Sequence, residues 1–146
     1  MKLRILTIAF ALLALTTAAS AAESIQARGI LVAASNEKRE SDKQIEQYVP
    51  TLRRLLRFES YRYLGSGSGR AAEGNATSIS IGQGHQLVVE LIGVEGNQVR
   101  ASVKWIDGHR TLMKTVLVLK RGGHAVIGGP ARGNGDEVLA VILIAS

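Results

Sequence analysis

Cysteine is absent from the 146-residue chain, and this excludes disulfide bonds, thiolate metal sites and cysteine nucleophiles. Proline and aromatic residues are scarce, with 2 prolines and an aromatic fraction of 4%. The 12 acidic residues are outnumbered by 18 Lys and Arg, so the formal charge is +6. The fold must therefore be stabilised by its hydrophobic core, and the charge favours anionic partners without being a nucleic-acid signature.

The N-terminus has the three parts of a secretory signal peptide. Lys2 and Arg4 form a positive n-region, residues 5–16 form an apolar h-region, and Ala19-Ser20-Ala21 is a small-x-small cleavage site. The apolar run is shorter than the roughly 20 residues that a spanning helix needs. We therefore expect cleavage after Ala21, a periplasmic or secreted location, and no transmembrane segment once the signal is removed.

Cleavage there divides the chain into a signal peptide, 1–21, and a single strand-rich domain, 22–146. The mature chain has 146 − 21 = 125 residues, which is the length of one domain. Loss of Lys2 and Arg4 lowers the formal charge from +6 by 2 to +4. Export and this small charge together predict that nucleic acid is not a partner.

One helix is predicted, over residues 41–57. Ser41 is a good N-cap residue, and Gln44 completes a capping-box pattern. Pro50 has no N–H to donate within the helix, so we expect a kink there, or two short helices, one ending near Tyr48 and one starting at Pro50. The apolar face at helical spacing comprises Ile45, Tyr48, Val49, Leu52, Leu55 and Leu56.

Strands and glycine-rich turns account for the rest of the chain. Residues 25–35 are predicted to form a strand that lies deep in the sheet, because 29–34 is apolar throughout, and the wholly apolar run 138–145 predicts a strand buried on both faces. Asp107-Gly108 predicts a hairpin, whereas the glycine-rich stretches 65–75 and 128–135 predict loops. The other predicted extended segments are 58–64, 77–81, 85–92, 98–106, 111–120 and 125–127.

The turns recur about every ten residues, which is typical of antiparallel sheets. We therefore predict an α+β fold, in which a mostly antiparallel sheet or sandwich of about seven or eight strands is packed against one kinked helix. The helix would cover a face or an open end of the strands.

No arrangement of chemically active residues indicates catalysis. His85, His109 and His124 each follow a glycine, which raises the question of a three-histidine zinc site. Successive turns of a meander lie at opposite ends of the sheet, so His85 and His109 should share one end and His124 should lie at the other. Asp107 is explained as a turn residue and Asp136-Glu137 as a charged gatekeeper before an apolar strand. We expect no enzyme activity, no metal and no cofactor.

The candidate partner-binding residues form a basic patch around the predicted helix. Within 53–70 only Glu59 offsets the positive charges, and Tyr61 and Tyr63 lie on one strand face with Arg62 on the other. A solvated helix face over core tyrosines explains the same pattern. The functional interpretation is a docking surface for an anionic partner, formed by Arg53, Arg54, Arg57, Arg62, Arg70, Tyr61 and Tyr63.

Two stretches resemble known bacterial proteins. The segment TVLVLKRGGHAVIGG, 115–129, followed by the apolar strand 138–145, resembles the hairpin region near the C-terminal end of secretins, the outer-membrane channels of secretion and pilus systems. Pro130 departs from that pattern, and the rest of a secretin is missing. LRRLLRFESYRYL with a later AVIGGP resembles small exported bacterial β-rich proteins of unknown function. This resemblance implies a bacterial origin and a periplasmic address, and it brings no activity or site residues to carry over.

Two functions follow as hypotheses. The first is an exported, non-catalytic envelope interaction module, accessory to a secretion or pilus assembly, that docks an envelope protein or an anionic surface through a sheet edge or the arginine-bearing helix. The alternative is a small-ligand or envelope-polymer binder, or a weakly marked hydrolase. Its pocket would lie near the 65–75 loop and be lined by Tyr61, Tyr63 and His85.

Overall fold

The computed structural model describes residues 23–132 and 135–146, so the predicted signal peptide lies outside the described residues. The predicted α+β class is confirmed: 69% of the described residues are strand, arranged as eight strands in two antiparallel sheets. No helix within the described ranges is long and apolar enough to cross a membrane. The strands are β1 (Ser24–Ser35), β2 (Ser60–Ala72), β3 (Ala76–Gly82), β4 (His85–Glu95), β5 (Gln98–Asp107), β6 (Arg110–Lys120), β7 (His124–Arg132) and β8 (Glu137–Ala145).

The two sheets have different connectivity. One has the order β3-β4-β5-β6, which is the expected meander. The other has the order β2-β1-β8-β7, so that β1 and β8, from opposite ends of the described chain, form its centre. β1 is buried on both faces over residues 29–34 and β8 over residues 139–143, as their apolar sequences predict, whereas Gln26 and Arg28 of β1 are exposed.

Two hydrophobic clusters hold the layers together. The larger cluster lies between the sheets and includes Leu31, Leu87, Trp105 and Val141. The smaller cluster lies on the opposite face of the β2-β1-β8-β7 sheet, where Ile45 and other helix residues cover it. The helical segment therefore packs across one sheet face, and the outer face of the β3-β4-β5-β6 sheet remains open to solvent.

The helical segment changes from a 3₁₀ helix to an α-helix next to Pro50. A 3₁₀ helix, Lys43–Tyr48, is followed directly by α1, Val49–Leu56, with Pro50 in its first turn. Proline is accepted there because the first N–H groups of a helix have no intrahelical partner. The two segments follow each other without a gap, so they form one helical run of 14 residues that changes type next to Pro50.

The predicted cap and apolar face need correction. Ser41 does not cap a helix: its Oγ accepts a hydrogen bond from the Tyr61 N–H at 3.0 Å, which ties the segment to β2 instead. Asp42 precedes the 3₁₀ helix without a side-chain cap. Leu55 lies on the solvent side, with 55% of its surface exposed.

The glycine-rich stretch 65–75 is not a loop, and this prediction was wrong. Most of it belongs to β2, where Gly65, Gly67 and Gly69 alternate with larger residues. A Cβ on Gly67 would lie 1.9 Å from the Ser80 carbonyl oxygen, and one on Gly65 would lie 2.3 Å from that of Ile81. The glycines therefore let β2 and β3 approach closely, which closes this side of the sandwich.

The predicted 128–135 loop is also wrong over its first part, because β7 continues through it to Arg132. The register with β8 shifts between Gly128 and Ala131. Pro130 lies in this irregular segment of an edge strand, a position where its missing N–H breaks no ladder.

Candidate partner-binding site

The five predicted arginines do not form one patch. Arg62 and Arg70 are eight residues apart on β2, which corresponds to about 26 Å along a strand. The Arg62 Nη2 donates to both carboxylate oxygens of Glu137 at 3.1 Å. Arg70 donates to Ser24 Oγ at 3.3 Å. Both side chains are therefore engaged by their own sheet.

The three helix arginines are closer together. Arg53 donates to the Glu59 carbonyl at 3.1 Å, and Arg57 ends α1 in the left-handed conformation with φ 60°. Arg53, Arg54 and Arg57 are all exposed. They remain a small cationic surface on the covering helix.

The two candidate tyrosines fix the helical segment to the sheet. Tyr61 is 1% exposed, and its hydroxyl accepts a hydrogen bond from the Phe58 N–H at 3.2 Å. Burial raises the pKa of the Tyr61 hydroxyl, opposed by that hydrogen bond and by the Arg53 charge. Tyr63 is partly buried, and its N–H donates to Asp42 Oδ2 at 2.9 Å.

The predicted pocket around these tyrosines is not formed. Tyr61 and Tyr63 pack in the cluster beneath the helix, and the adjoining 65–75 segment is mostly strand. His85 belongs to β4, in the other sheet. The three residues therefore do not line a common site.

His85 and His109 lie at the same end of the β3-β4-β5-β6 sheet, as predicted, and His124 lies apart from them at the start of β7. His85 is opposite Asp107 in the ladder, and His109 follows in the β5–β6 turn. His124 begins β7, where its ring meets Tyr48 edge-on at 5.2 Å and its Nε2 lies 3.4 Å from Thr51 Oγ1. Among residues 23–132 and 135–146 there is no group of three His, Cys, Asp or Glu that could hold a metal.

A basic surface that the sequence did not indicate lies on the open face of the β3-β4-β5-β6 sheet. Lys104 lies directly opposite Lys114, and Arg100 lies opposite Val118. Val116 and Val118 are 53% and 55% exposed. We call this surface the basic face and define it by Arg100, Lys104, Lys114, Val116, Val118 and Lys120.

The basic face borders a free sheet edge. β6 is the outermost strand of its sheet, whereas β3 at the other edge packs closely against β2. β6 carries no proline, and β7, the neighbouring edge of the other sheet, carries Pro130 and a register shift. β6 has a bulge at Leu112, but its pairing with β5 is regular from Met113 to Lys120, so this part of β6 is the more regular of the two edges.

A cleft lies beside this edge, between β6 and β7. Two adjoining spaces of about 440 and 270 Å³ share Arg110, Leu112 and Pro130. His85 and Asp107 line the larger space, and Trp105 lines the smaller one. The Trp105 Nε1–H donates to His85 Nδ1 at 2.9 Å.

No protein-family model, curated protein or solved structure matches this chain. The resemblance of 115–145 to the secretin hairpin therefore stays a sequence-based expectation.

Proposed function

We propose that the chain is an exported, non-catalytic interaction module of the bacterial envelope that binds an acidic, extended segment of a partner protein along β6. The observation that carries the proposal is the pair Lys104 and Lys114, directly opposite each other on an open sheet face. Like charges at directly opposite positions destabilise a strand pair. Carboxylates of a partner would convert this repulsion into attraction.

The surroundings of the pair support the same partner chemistry. β6 contains three cations, Arg110, Lys114 and Lys120, and no acidic residue. Arg100 on β5 adds a further charge beside Val118. Apolar side chains between cations suit a segment in which acidic and apolar residues alternate, because alternate side chains of a strand point to the same face.

The free edge supplies the second half of the binding mode. Backbone N–H and C=O groups on the outer side of an edge strand can pair with an added strand. Lysine on that edge opposes pairing with a second copy of β6, because the two strands would bring like charges together. The same lysine favours an acidic strand, so one residue selects the partner by both attraction and repulsion.

A protein partner fits this face better than a lipid surface does. The exposed valines are several atoms shorter than the lysines and arginines around them, so the charged groups extend further from the sheet. Val116 and Val118 would meet side chains of an added strand before they could reach the acyl region of a membrane. We therefore favour an acidic protein segment over anionic lipid.

The envelope location and the link to secretion or pilus assembly rest on the sequence alone. The N-terminal pattern at 1–21 supports export, and the resemblance of 115–145 to the secretin hairpin supports a partner in such an assembly. The proposal includes the expectation that the chain has no enzyme activity.

A labelled synthetic peptide tests the binding mode directly. Fluorescence polarisation would compare alternating Glu-Val and Lys-Val peptides of about eight residues, the length of a long strand. We expect saturable binding of the Glu-Val peptide only, and loss of that binding in a K104E/K114E variant. The matched control is the triple variant R53A/R54A/R57A, which should bind normally.

Crosslinking from the native envelope extends the test to the natural partner. The mature chain and the two variants would serve as baits, and melting temperatures would confirm that each is folded. Recovery of one acidic protein by the wild type and by the helix variant, but not by K104E/K114E, is the expected result. Capture lost only in the helix variant would move the docking surface to α1, and recovery of lipid or polysaccharide alone would overturn the proposal.

A further inference from the structure

We infer that the cleft between β6 and β7 binds a small monocarboxylate with an apolar substituent, and that the His85 Nε2–H, Arg110 and Arg132 hold its carboxylate. The cleft lies beside the β6 edge and shares Arg110 with that strand, but this inference concerns a small ligand in the cleft and does not require the proposed partner segment. The larger space, of about 440 Å³, is within the size range of small-molecule sites, and a second space of about 270 Å³ adjoins it.

The connection between the two sheets determines where the cleft opens. The β6–β7 turn crosses from one sheet to the other, and the Gly122 N–H donates to the Ala145 carbonyl at 2.6 Å. This hydrogen bond closes the gap between the two sheets at the β6–β7 turn. The space lies towards the opposite ends of the strands, at Arg110 and Arg132.

Trp105 determines which nitrogen of His85 carries the proton. Indole Nε1–H is a donor only, so the Nδ1 that receives it at 2.9 Å must be unprotonated. The neutral imidazole then carries its hydrogen on Nε2. His85 is therefore held as an Nε2–H donor.

This donor is available to a ligand. His85 is only 6% exposed and lines the cleft. Its Nε2 lies 3.9 Å from Asp107 Oδ1, which is too long for a hydrogen bond. Within the described residues no side-chain nitrogen or oxygen is both buried and without a partner, so this Nε2–H reaches the solvent of the cleft, where a ligand carboxylate can replace water as its acceptor.

Charges at the mouth of the cleft define the ligand as an anion of low charge. Arg110 and Arg132 line the larger space from its two sides. Arg132 already lies 3.6 Å from Glu137, and Asp107 adds a negative charge at the rim. Two guanidinium groups and one imidazole N–H attract a monoanion, whereas the nearby carboxylates disfavour a dianion such as phosphate.

Beyond the two arginines the cleft is lined by apolar side chains. Leu112, Pro130 and Leu139 line the larger space. The smaller space extends it along Trp105 and Met113. A ligand with a carboxylate at one end and a short apolar chain at the other matches both halves of the cleft.

Titration of the folded protein tests this site with defined probes. Trp105 is the only tryptophan of the chain, so its fluorescence and calorimetry would both report binding of sodium hexanoate. Hexanol retains the tail without the charge, acetate retains the charge without the tail, and inorganic phosphate tests the choice of anion. We expect hexanoate to bind saturably and at least roughly tenfold more tightly than each of the other three.

Variants assign the contacts. R110Q should weaken hexanoate binding roughly tenfold, and R110Q/R132Q should abolish it. K114Q is the matched control, because it removes a cation of the same strand that faces away from the cleft, and it should leave binding unchanged. In the wild type, hexanoate should shift the His85 Nε2–H resonance in the side-chain nitrogen spectrum.

Three results would overturn the inference. They are equal binding of hexanol or phosphate, binding that survives R110Q/R132Q, and the absence of saturable hexanoate binding. Because the glutamine variants alter exposed side chains, their melting temperatures should match that of the wild type, and this separates lost contacts from lost structure.

Discussion

The indole of Trp105 donates its Nε1–H to Nδ1 of His85, 2.9 Å away. This hydrogen bond joins the side chains of the neighbouring strands β4 and β5. Both residues are nearly inaccessible, Trp105 at 1% and His85 at 6%. A buried donor and a buried acceptor satisfy each other here, so neither can be replaced without leaving the other unpaired.

Replacement of His85 by Leu should therefore lower the free energy of unfolding by about 1–3 kcal/mol, because the buried indole N–H loses its acceptor. The denaturant midpoint of unfolding measures this change. H109L removes an exposed histidine from the neighbouring turn and should leave the midpoint unchanged. In a W105F background the His85→Leu change should cost less, and equal costs in both backgrounds would show that the two rings are not coupled.

Replacement of Gly67 by Ala should be strongly destabilising. The added Cβ would lie 1.9 Å from the Ser80 carbonyl oxygen, which belongs to the backbone of β3 and cannot rotate away. We expect a loss of about 3 kcal/mol or more, at the upper end of the range for overpacking. Thermal melting measures it. S68A, at the exposed neighbouring position of β2, should melt like the wild type, and a stable G67A variant would contradict the close approach of β2 to β3.

Replacement of Gly129 by Ala should also destabilise the chain, through a different contact. Its Cβ would lie 2.3 Å from the Trp105 ring, so the indole must shift. We expect a loss of about 1–3 kcal/mol, together with a change in tryptophan emission. G128A is the matched control: its nearest neighbour, Leu56 Cδ2, lies at an ordinary 3.6 Å. Similar behaviour of the two variants would contradict the packing of Trp105 on β7.

Tyr61 should make the protein sensitive to alkali. Burial raises the pKa of its hydroxyl above the ordinary value of 10.0. The folded state therefore holds this proton more tightly than the unfolded state. The resulting stabilisation is complete below pH 10 and is lost as the pH rises through the folded-state pKa.

Replacement of Tyr61 by Phe should remove this part of the pH dependence. The difference in free energy of unfolding between the wild type and Y61F, measured from about pH 8 to 11, should shrink above pH 10. At neutral pH the variant should lose about 1 kcal/mol, because the Phe58 N–H no longer has the phenol oxygen as acceptor. A constant difference across this pH range would mean that the phenol ionises equally easily in both states.

Several structural features could be predicted because they depend on local pattern. The apolar runs 29–34 and 138–145 indicated strand segments that lie deep in the sheet, and Pro50 indicated where the helical segment changes type. The glycines of β2 were misread, because a glycine that permits a flexible loop and one that permits close packing look the same in a sequence. Only the position of β3 distinguishes the two.

The candidate sites were harder to predict than the fold, because they depend on contacts between residues that are far apart in the sequence. Arg62 was grouped with the helix arginines, although Glu137, 75 positions away, binds it in the folded chain. The basic face and the cleft were not predicted, because their residues come from strands whose pairing partners the sequence does not specify. The alternation in 98–106 placed Lys104 on the polar side of β5, but it did not place a second lysine opposite it.

The sequence predicts that β6 is a strand, but the tertiary structure determines which of its two faces is buried. Val116 and Val118 alternate with Leu117 and Leu119, so both faces of this strand are apolar and the sequence leaves its inward face undecided. From the Asp107-Gly108 turn alone, regular pairing would place Lys114 opposite the buried Val103. A bulge at Leu112 shifts the register, so that Thr115 takes that place and Lys114 meets Lys104 in solvent. The sequence determined that this segment is a strand, because strand formation follows from local composition. Packing against the core determined which face it buries, because only the folded chain offers Leu117 and Leu119 a hydrophobic surface to cover.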